Sequence, residues 1–467
     1  MKRALAVGIL FAFVCGQCVA QEPMTSPPLA TSPQSSGKNA QRQPAAPAST
    51  AAVPANGVSG PPRKLTLKEA EALALRNNPQ ITIGKLRSLE AREYVREARS
   101  ALLPTAYLSL TAVDSDPGGR ITAGGLTNPT VFPRAAAGAT VSQLVTDFGR
   151  TTNLVSSSKF QEKAEDQDAA ATTADIILAV DQAFYNSFET LDLVTVAEQT
   201  VQARQTLVDK IQALTNAKLR SDLDLSFAKV DVARAKLLLL ESQNNFQAAL
   251  AALSAILGYQ DEQNFDLVRP AETMQPPAPE VEPLIMQALQ QRPELQSLQF
   301  QIESAQKNDA AEHDLWRPTV NALGTVGLAP VRDPNIPSWY GAVGVNVNIP
   351  VFNGFLYSSR AKAADLQTEI AKQKFADSRN NIARDVRTSW QQTNQAYERL
   401  SVTQQLSEQA NLALDLAQSR YNLGLSSIVE FTQAELGKTE ADIANTDAQY
   451  RYLLTQIVLA YTIAAPK

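Results

Sequence analysis

The side chains that most often carry out chemistry are scarce in this chain or lack a recognisable arrangement. His313 is the only histidine, so a metal site built from several histidines is excluded, and no serine or cysteine is placed to form a triad with it. His313 lies near the end of a predicted helix, before Pro318, where we expect a solvated or capping side chain. The 47 aspartates and glutamates define no acid/base pair, and Gly118-Gly119-Arg120 lacks the strand and helix of a phosphate cradle. We therefore expect no enzymatic activity, no cofactor and no metal site.

The N-terminus has the pattern of a secretory signal peptide. Lys2 and Arg3 give it a positive start, and the apolar run from Ala4 to Val14 is too short to span a bilayer. Small residues at positions 18–20 predict cleavage after Ala20, so we assign residues 1–20 to the signal peptide.

Lipidation of Cys15 or Cys18 is the alternative at the N-terminus. The residues before them, Val14 and Gln17, argue against it, because a lipidation site prefers a small residue there. Cleavage after residue 20 removes both cysteines, which leaves no disulfide and no thiolate metal ligand. It also removes two positive charges, which takes the formal charge from −5 to −7. An acidic chain without a basic cluster is a poor candidate for binding nucleic acid.

Most of the remaining chain consists of two copies of one pattern. Residues 21–64, rich in proline, alanine, serine and glutamine, predict a disordered tether that precedes them. Pro104 corresponds to Pro318, 214 positions later, whereas Asp147 corresponds to Asn353, 206 positions later. The eight-residue difference predicts a solvent-facing loop between Pro104 and Asp147. We assign residues 65–280 to the first repeat with its connection and residues 281–464 to the second.

Helical periodicity dominates both repeats. From Arg150 to about Leu214 there is no proline or glycine, and apolar residues recur at spacings of three, four and seven, as they do from Phe355 to about Tyr421. Each of these helices would be about 100 Å long, far beyond the size of a globular domain. Shorter helices are predicted at about 79–103, 223–258, 293–316 and 429–464. In each repeat the two shorter helices can stack end to end beside the long one.

Between the helices the period changes to two, which predicts four strands. They cover about residues 105–115, 139–147, 319–329 and 342–351. In the last strand Val343, Val345 and Val347 alternate with Gly344 and Asn346. Apolar and polar faces that alternate in this way are typical of a membrane barrel, with lipid outside and water inside.

Four strands cannot close into a barrel. An open edge in lipid leaves backbone N–H and C=O groups unpaired, at a cost of several kcal/mol each. Three copies of the chain would supply twelve strands, an even number wide enough to leave a lumen. Phe132, Trp339 and Tyr340 lie near the ends of the loops between strands, which fits either a membrane-interface girdle or ordinary loop aromatics.

Several motifs, in order along the chain, resemble the TolC family of outer-membrane efflux proteins, the outer membrane factors. The matching segments are residues 65–79 for the opening helix, 101–104 for the helix-to-strand switch, 142–150 and 349–354 for the strand-to-helix junctions, and 420–430 for a periplasmic turn. The junction residues are Pro104, Asp147, Gly149, Pro318, Asn353 and Gly354. The resemblance covers Leu65 to about Ala464.

The resemblance implies a mixed, mainly α, membrane protein with internal duplication. Four strands per chain would enter a trimeric 12-stranded outer-membrane β-barrel, continuous with a long periplasmic α-helical barrel. The implied function is the outer-membrane channel of a tripartite efflux or type I secretion system in a Gram-negative bacterium. Its implied partners are two further copies of the chain, outer-membrane lipid, a periplasmic adaptor (membrane fusion protein) and an inner-membrane transporter. The alternative is a periplasmic coiled-coil scaffold or adaptor without a pore, which the long helices alone would allow.

The candidate functional site lies at the two turns between long and short helices, residues 218–225 and 421–433. Inward-facing acids there would form rings of three in a trimer, which attract cations and repel anions. The candidate residues are Asp222, Asp224, Tyr421, Gly424, Ser426, Glu430 and Gln433. The structural alternative is that Asp222 and Asp224 only begin a helix, where acids satisfy free N–H groups.

The resemblance assigns roles to some of these residues. The acids of the family's gate match Glu430 and Gln433, so one acid is kept and one is lost. The family's latch pairs a tyrosine matching Tyr421 with an aspartate matching Asp224, and Ser426 replaces its arginine partner. The first turn also has a lysine, residue 218, where the family usually has a glycine.

Overall fold

A computed structural model describes residues 63–113, 122–123, 126–127, 134–261, 263, 265–269, 274–330 and 337–465. The predicted signal peptide, residues 21–62 of the predicted tether, and Phe132 lie outside the described residues. Arg63 and Lys64, which we assigned to the tether, belong to a short strand. Among the described residues, no helix combines the length and the apolar character needed to cross a membrane.

Each repeat contributes four helices and two long strands in the same order. The first repeat contains α1 (Leu67–Asn77), α2 (Pro79–Ser100), β2 (Thr105–Val113), β5 (Arg134–Thr146), α3 (Arg150–Asn216) and α4 (Asp222–Ile256). The second contains α5 (Glu282–Gln291), α6 (Pro293–His313), β7 (Thr319–Leu328), β8 (Trp339–Asn348), α7 (Leu356–Asn422) and α8 (Ile428–Thr462). The short strands are β1 (Arg63–Leu65), β3 (Thr122–Ala123), β4 (Leu126–Thr127) and β6 (Phe265–Leu267). β1 pairs in parallel with β6, and β3 pairs with β4 in antiparallel fashion.

The four long strands form one antiparallel sheet in the order β2-β5-β7-β8. The two repeats therefore join through β5 and β7, and β2 and β8 lie at the outer edges. Within the described residues no strand pairs with either outer edge. The sheet of a single chain thus presents two rows of backbone hydrogen-bonding groups that still require partners.

Two strands have different bounds from those predicted. β5 begins at Arg134 rather than near residue 139, and β8 begins at Trp339 and ends at Asn348 rather than running over about 342–351. Pro350 lies just beyond the end of β8, where its missing N–H cannot contribute to a ladder. Trp339 and Tyr340 are therefore strand residues and not part of the preceding loop.

Tyr340 accounts for the early start of β8. It pairs with Gly327 of β7, and Gly327 pairs in turn with Gly138 of β5. A Cβ atom added to Gly327 would lie 2.6 Å from the Tyr340 ring, and one added to Gly138 would overlap the Tyr340 hydroxyl. The ring therefore covers two glycines on neighbouring strands and fills the space that their side chains would occupy.

The long helices α3 and α7 are each 67 residues, which corresponds to about 100 Å. α3 packs against α2, α4, α6 and α8, and α7 packs against α6 and α8. The predicted apolar stripe of α3 is buried at Val180, Phe184 and Phe188, and the two phenylalanine rings meet edge to face with centroids 5.2 Å apart. Burial of each such side chain stabilises the fold by about 1.5–3 kcal/mol.

The end of α4 meets the break between α1 and α2. The Asn78 side chain caps α2 by accepting a hydrogen bond from the N–H of Gln80 at 2.9 Å, and it donates to the carbonyl of Ile256 in α4 at 2.9 Å. Gly258 then ends α4 with a φ of +85°, and a Cβ atom added there would lie 2.7 Å from the carbonyl oxygen of Asn77. Glycine is therefore required at this position for both conformation and space.

We predict that Gly258→Ala destabilises the protein. The left-handed backbone alone costs a non-glycine residue about 1–2 kcal/mol, and displacement of the Asn77 carbonyl adds to that cost. Gly437→Ala is the matched control, because Gly437 lies within α8 and a Cβ atom there meets nothing within 4 Å. The thermal unfolding temperature in detergent should fall for Gly258→Ala and stay equal or rise slightly for Gly437→Ala. Equal effects of the two substitutions would contradict this account.

Candidate functional site

The two turns at the ends of the long helices share one backbone design. After α3, the N–H of Lys218 donates to the carbonyl of Thr215 at 2.9 Å, and that of Leu219 donates to Leu214 at 2.8 Å. After α7, the N–H groups of Gly424 and Leu425 make the equivalent bonds, to Tyr421 at 3.1 Å and to Arg420 at 2.9 Å. This pair of bonds is the Schellman motif, which satisfies the last free carbonyls of a helix.

The turns differ in the residue that adopts the left-handed conformation. Gly424 has a φ of +74°, at the position where glycine is strongly preferred. Lys218 has a φ of +60° at the corresponding position of the first turn. A residue with a Cβ atom is strained in this conformation. The first turn therefore adopts with a lysine the same backbone conformation that the second adopts with a glycine.

Serines begin the short helices that follow the turns. The side chain of Ser221 accepts a hydrogen bond from the N–H of Asp224 at 3.1 Å, and that of Ser427 accepts from the N–H of Glu430 at 3.3 Å. Asp224 and Glu430 therefore lie in the first turn of α4 and of α8, where a carboxylate interacts favourably with the helix dipole. This geometry matches the helix-starting role that we considered for Asp224.

An apolar cluster joins the two turns. Its buried members are Val208, Ile211, Leu225, Ala228, Val232, Ala417, Tyr421, Ile428 and Phe431. The rings of Tyr421 and Phe431 stack with their centroids 5.5 Å apart and their planes 12° from parallel. The turns are consequently packed against each other and not independent loops.

Arg220 connects the first turn to the second. Its Nη2 donates to the carbonyl oxygen of Tyr421 at 2.9 Å, and its guanidinium lies 4.2 Å from the centroid of the Tyr421 ring. Both distances are typical of a strong polar contact, one a charge-assisted hydrogen bond and the other a cation–π interaction. We did not predict Arg220, although a signal was present: it lies 206 positions before Ser426, where the resemblance implied a missing arginine. The chain carries its arginine at the equivalent position of the other repeat.

Tyr421 and Asp224 are close, but their interaction is electrostatic. Burial raises the pKa of the Tyr421 phenol, the positive charge of Arg220 opposes this rise, and the carboxylate of Asp224 adds to it. The Tyr421 hydroxyl is buried and has no hydrogen-bond partner among the described residues. Arg220, and not the predicted tyrosine–aspartate pair, therefore makes the direct polar contact between the turns.

The other candidates lie around this contact. The carboxylate of Glu430 pairs with Arg420 at 3.0 Å on the surface, so its charge is partly neutralised. The hydroxyl of Ser426 is buried without a hydrogen-bond partner among the described residues. Asp222 and Gln433 are exposed.

At the first strand-to-helix junction, Asp147 holds the start of α3. Its buried carboxylate accepts hydrogen bonds from the N–H of Gly149 at 3.3 Å, the N–H of Thr151 at 2.7 Å and the Thr151 hydroxyl at 2.5 Å. Phe148 and Gly149 have φ values of +54° and +110°. Pro104 lies at the same end of the sheet's first hairpin, directly before β2, because Thr105 pairs with Ser142 near the end of β5.

The second junction has the same backbone path with different residues. Gly354 and Phe355 have φ values of +61° and +68°, so the order of glycine and phenylalanine is reversed relative to the first junction. Both polar atoms of the Asn353 side chain are buried without hydrogen-bond partners among the described residues, unlike those of Asp147. Arg317, next to Pro318, donates to the carbonyl of Phe148 at 2.7 Å and thereby ties the first strand-to-helix junction to the start of β7 in the second repeat.

His313 is the last residue of α6 and lies next to two carboxylates. Its Nε2 is 3.4 Å from Oδ1 of Asp309 and 3.2 Å from Oδ1 of Asp365 on α7. The sequence pointed to a solvated or capping side chain, because the proximity of Asp365 depends on packing between helices.

Comparison with known proteins agrees with this architecture. The outer membrane efflux protein family matches residues 72–259 and 284–464, one segment in each repeat. The outer membrane protein TolC of Salmonella enteritidis is 23% identical over 420 residues, which covers 85% of this chain and 83% of TolC.

Two solved structures share the fold. A crystal structure of CusC, described in terms of folding and transmembrane channel formation, matches with a TM-score of 0.75 and 18% identity, over 85% of this chain and 91% of CusC. The open state of the MtrE outer membrane channel of Neisseria gonorrhoeae matches with a TM-score of 0.70 and 17% identity, over 85% of this chain and 88% of MtrE.

These findings confirm several predictions from the sequence: membership of the TolC family, a mainly helical fold with a strand portion, and a place in the Gram-negative outer membrane with an extension into the periplasm. The family's members are channel proteins and not enzymes. The chain belongs to the outer membrane efflux protein family and is an outer-membrane efflux channel.

Proposed function

We propose that three copies of this chain form one passive export duct, which an inner-membrane transporter supplies through a periplasmic adaptor. The observation that carries this proposal is the four-stranded sheet, whose outer strands β2 and β8 have no further strand beside them in the part of the chain that the structure describes. In lipid each unpaired backbone group costs several kcal/mol, so β2 of one copy has to pair with β8 of the next. Three such sheets supply twelve strands, enough for a barrel with a lumen.

The exposed apolar side chains of β8 support membrane insertion of this sheet. Val343 is 93% exposed and Val345 is 68% exposed, and both lie on the face opposite Gly344 and Asn346. A row of exposed valines is unfavourable in water but favourable against lipid acyl chains. The chain offers no recognisable energy-converting site, so we assign the driving force for export to the transporter.

The face assignment can be tested with one substitution at two neighbouring positions. We predict that Val345→Arg lowers the amount of trimer in the outer membrane, because arginine on the lipid face costs up to about 2–4 kcal/mol per chain. Asn346→Arg is the matched control, since its side chain faces the lumen. The measurement is heat-modifiable migration of the protein extracted from the outer-membrane fraction. Equal trimer yields for both variants would refute the face assignment, and a water-soluble wild-type monomer would refute the channel and favour the scaffold.

We further propose that the two helix turns form the gate of the duct at its periplasmic end. The contact of Arg220 with Tyr421 holds the first turn against the second, and the Tyr421–Phe431 stack supports the tyrosine from the other side. In a trimer the acids Asp222 and Asp224 would add negative charge three times around the tip. The open state reported for MtrE supports the idea that channels of this fold change conformation.

We predict that Arg220→Gln favours the open gate. The loss of a charge-assisted hydrogen bond and a cation–π contact removes about 1–3 kcal/mol, equivalent to about a 5- to 150-fold change in the open population. Arg234→Gln is the control, because Arg234 lies on α4, the helix that follows the first turn, and contacts Asp231 instead of the second turn. Single-channel conductance in planar bilayers should increase for Arg220→Gln and not for Arg234→Gln.

A second comparison separates this contact from a tyrosine–aspartate latch. Tyr421→Phe keeps the ring beneath Arg220 and removes only a hydroxyl without a hydrogen-bond partner, so its conductance should match that of the wild type. If Tyr421→Phe opened the channel as strongly as Arg220→Gln, a hydrogen bond from Tyr421 to Asp224 would control the gate and our assignment would be wrong.

Glu435 adds a titratable group to the same helices. Burial raises the pKa of this carboxyl to about 7, Arg204 on α3 opposes the rise, and Asp231 on α4 adds to it. Arg204 is itself buried and donates from Nη1 to the carbonyl of Asp231 at 3.1 Å. The packing of α8 against α3 and α4 is therefore sensitive to the protonation of Glu435.

This arrangement predicts a pH dependence with a definite sign. An unfolded glutamate loses its proton near pH 4.5, whereas Glu435 in the fold keeps it until about pH 7, so the stability of this packing falls as pH rises through that interval. Glu435→Gln stays uncharged and should flatten the dependence, while Glu440→Gln, an exposed position on the same helix, should leave it intact. Hydrogen exchange of α8 between pH 5 and pH 8 provides the measurement. An unchanged pH dependence in Glu435→Gln would show that another group is responsible.

A further inference from the structure

The facing ends of α6 and α7 bring together three side chains that can bind a metal ion. Asp309 and His313 are one turn apart on α6, and Asp365 lies opposite them on α7. The nearest ligand atoms of the three side chains all lie within 4.8 Å of one another. The sequence alone did not reveal this group, because Asp365 is 52 positions from His313.

The distances match the edges of a coordination polyhedron. A first-row metal with bonds of about 2.1 Å holds neighbouring ligand atoms about 3.0 Å apart in an octahedron and about 3.4 Å apart in a tetrahedron. Nε2 of His313 lies 3.2 Å from Oδ1 of Asp365 and 3.4 Å from Oδ1 of Asp309. Both separations fall in that interval, so one cation could contact all three residues with little rearrangement.

Two features of the surroundings favour a cation at this point. Oδ1 of Asp309 is buried and lies 3.4 Å from Nε2 of His313, so a carboxylate oxygen shielded from water faces the group. His313 is the last residue of α6, and the C-terminal end of a helix attracts positive charge. An imidazole that already faces two carboxylates through Nε2 requires no rotation to become a ligand.

A neighbouring ion pair fixes the spacing of the two helices independently of any metal. Glu312 of α6 receives two hydrogen bonds from Arg360 of α7, from Nε and from Nη2, both at 2.7 Å. This bidentate contact lies next to His313 and one turn before Asp365. The three candidate ligands are thus held on a preorganised interface, which lowers the cost of binding.

We propose that Asp309, His313 and Asp365 bind one divalent first-row transition cation per chain, such as Zn²⁺. One imidazole and two carboxylates suit such ions better than Ca²⁺ or Mg²⁺, which prefer all-oxygen sites. His313 and Asp365 are more than half exposed, so water completes the coordination and exchange with solvent remains open. The bound ion joins α6 to α7 next to the point where the chain enters β7.

Metal titration of the full mature protein in detergent tests this proposal. After treatment with a chelator, calorimetry should show that the wild type binds one Zn²⁺ per chain even with excess Mg²⁺ and Ca²⁺ present. Bound Co²⁺ should give a visible absorption spectrum, and added Zn²⁺ should abolish that spectrum. His313→Gln and Asp365→Asn should each weaken Zn²⁺ binding by at least about tenfold. Glu369→Gln is the matched control, because Glu369 lies one turn beyond Asp365 and pairs with Lys372.

The competing arrangement is a protonated His313 that forms ion pairs with both aspartates and binds no metal. In that case the wild type would show no saturable Zn²⁺ binding, and Asp365→Asn would lower the unfolding temperature by the same amount with and without Zn²⁺. These two results would overturn the proposal. Retained Zn²⁺ binding in His313→Gln would overturn it as well. The proposal is supported if Zn²⁺ raises the unfolding temperature of the wild type and of Glu369→Gln but not that of His313→Gln or Asp365→Asn. Circular dichroism should show equal helix content in all four proteins.

Discussion

The need to pair every backbone N–H and C=O group in lipid is the constraint on which the rest of the structure depends. The sheet β2-β5-β7-β8 satisfies its three internal interfaces within the chain and leaves two outer edges. Those edges make the chain incomplete by itself in a membrane, so the interface between subunits has to be part of the sheet. Duplication fits this requirement, because each repeat adds one hairpin and one long helix, and each further copy extends the same ring.

The strand-to-helix junctions transmit this arrangement to the helices. Asp147 turns the chain from β5 into α3 by holding two N–H groups and a hydroxyl, and Arg317 of the second repeat binds the carbonyl of Phe148. The start of α3 is therefore held against both the end of β5 and the start of β7. Each long helix extends about 100 Å from its junction. A small change in helix direction at the junction therefore displaces the turn at the far end by a larger distance.

Local patterns in the sequence were sufficient for the long helices and for the four long strands, but not for the short strands, the start of β8 or contacts between repeats. The long helices α3 and α7 follow from apolar spacings of three, four and seven without an internal proline or glycine, and the strands follow from a period of two. The start of β8 was misplaced because it depends on the Tyr340 ring covering Gly327 and Gly138 on two other strands. Arg220 escaped notice for the same reason, since its partner lies 201 positions away. The strand β1 was missed because three residues are too few to show a period, and β6 lies far along the chain.

The two turns show how duplication permits a division of roles. They share a Schellman motif and a serine cap, so the backbone is equivalent in both. At the corresponding positions, however, the first turn has Lys218 and Arg220 and the second has Gly424 and Ser426. One turn thus supplies the cation and the other supplies the aromatic ring and the carbonyl that receive it. Neither turn could make this contact with a copy of itself, because the position equivalent to Tyr421 in the first turn is Thr215 and the position equivalent to Arg220 in the second is Ser426. The divergence of the repeats at these turns is what gives a duplicated backbone a directed contact between its two halves.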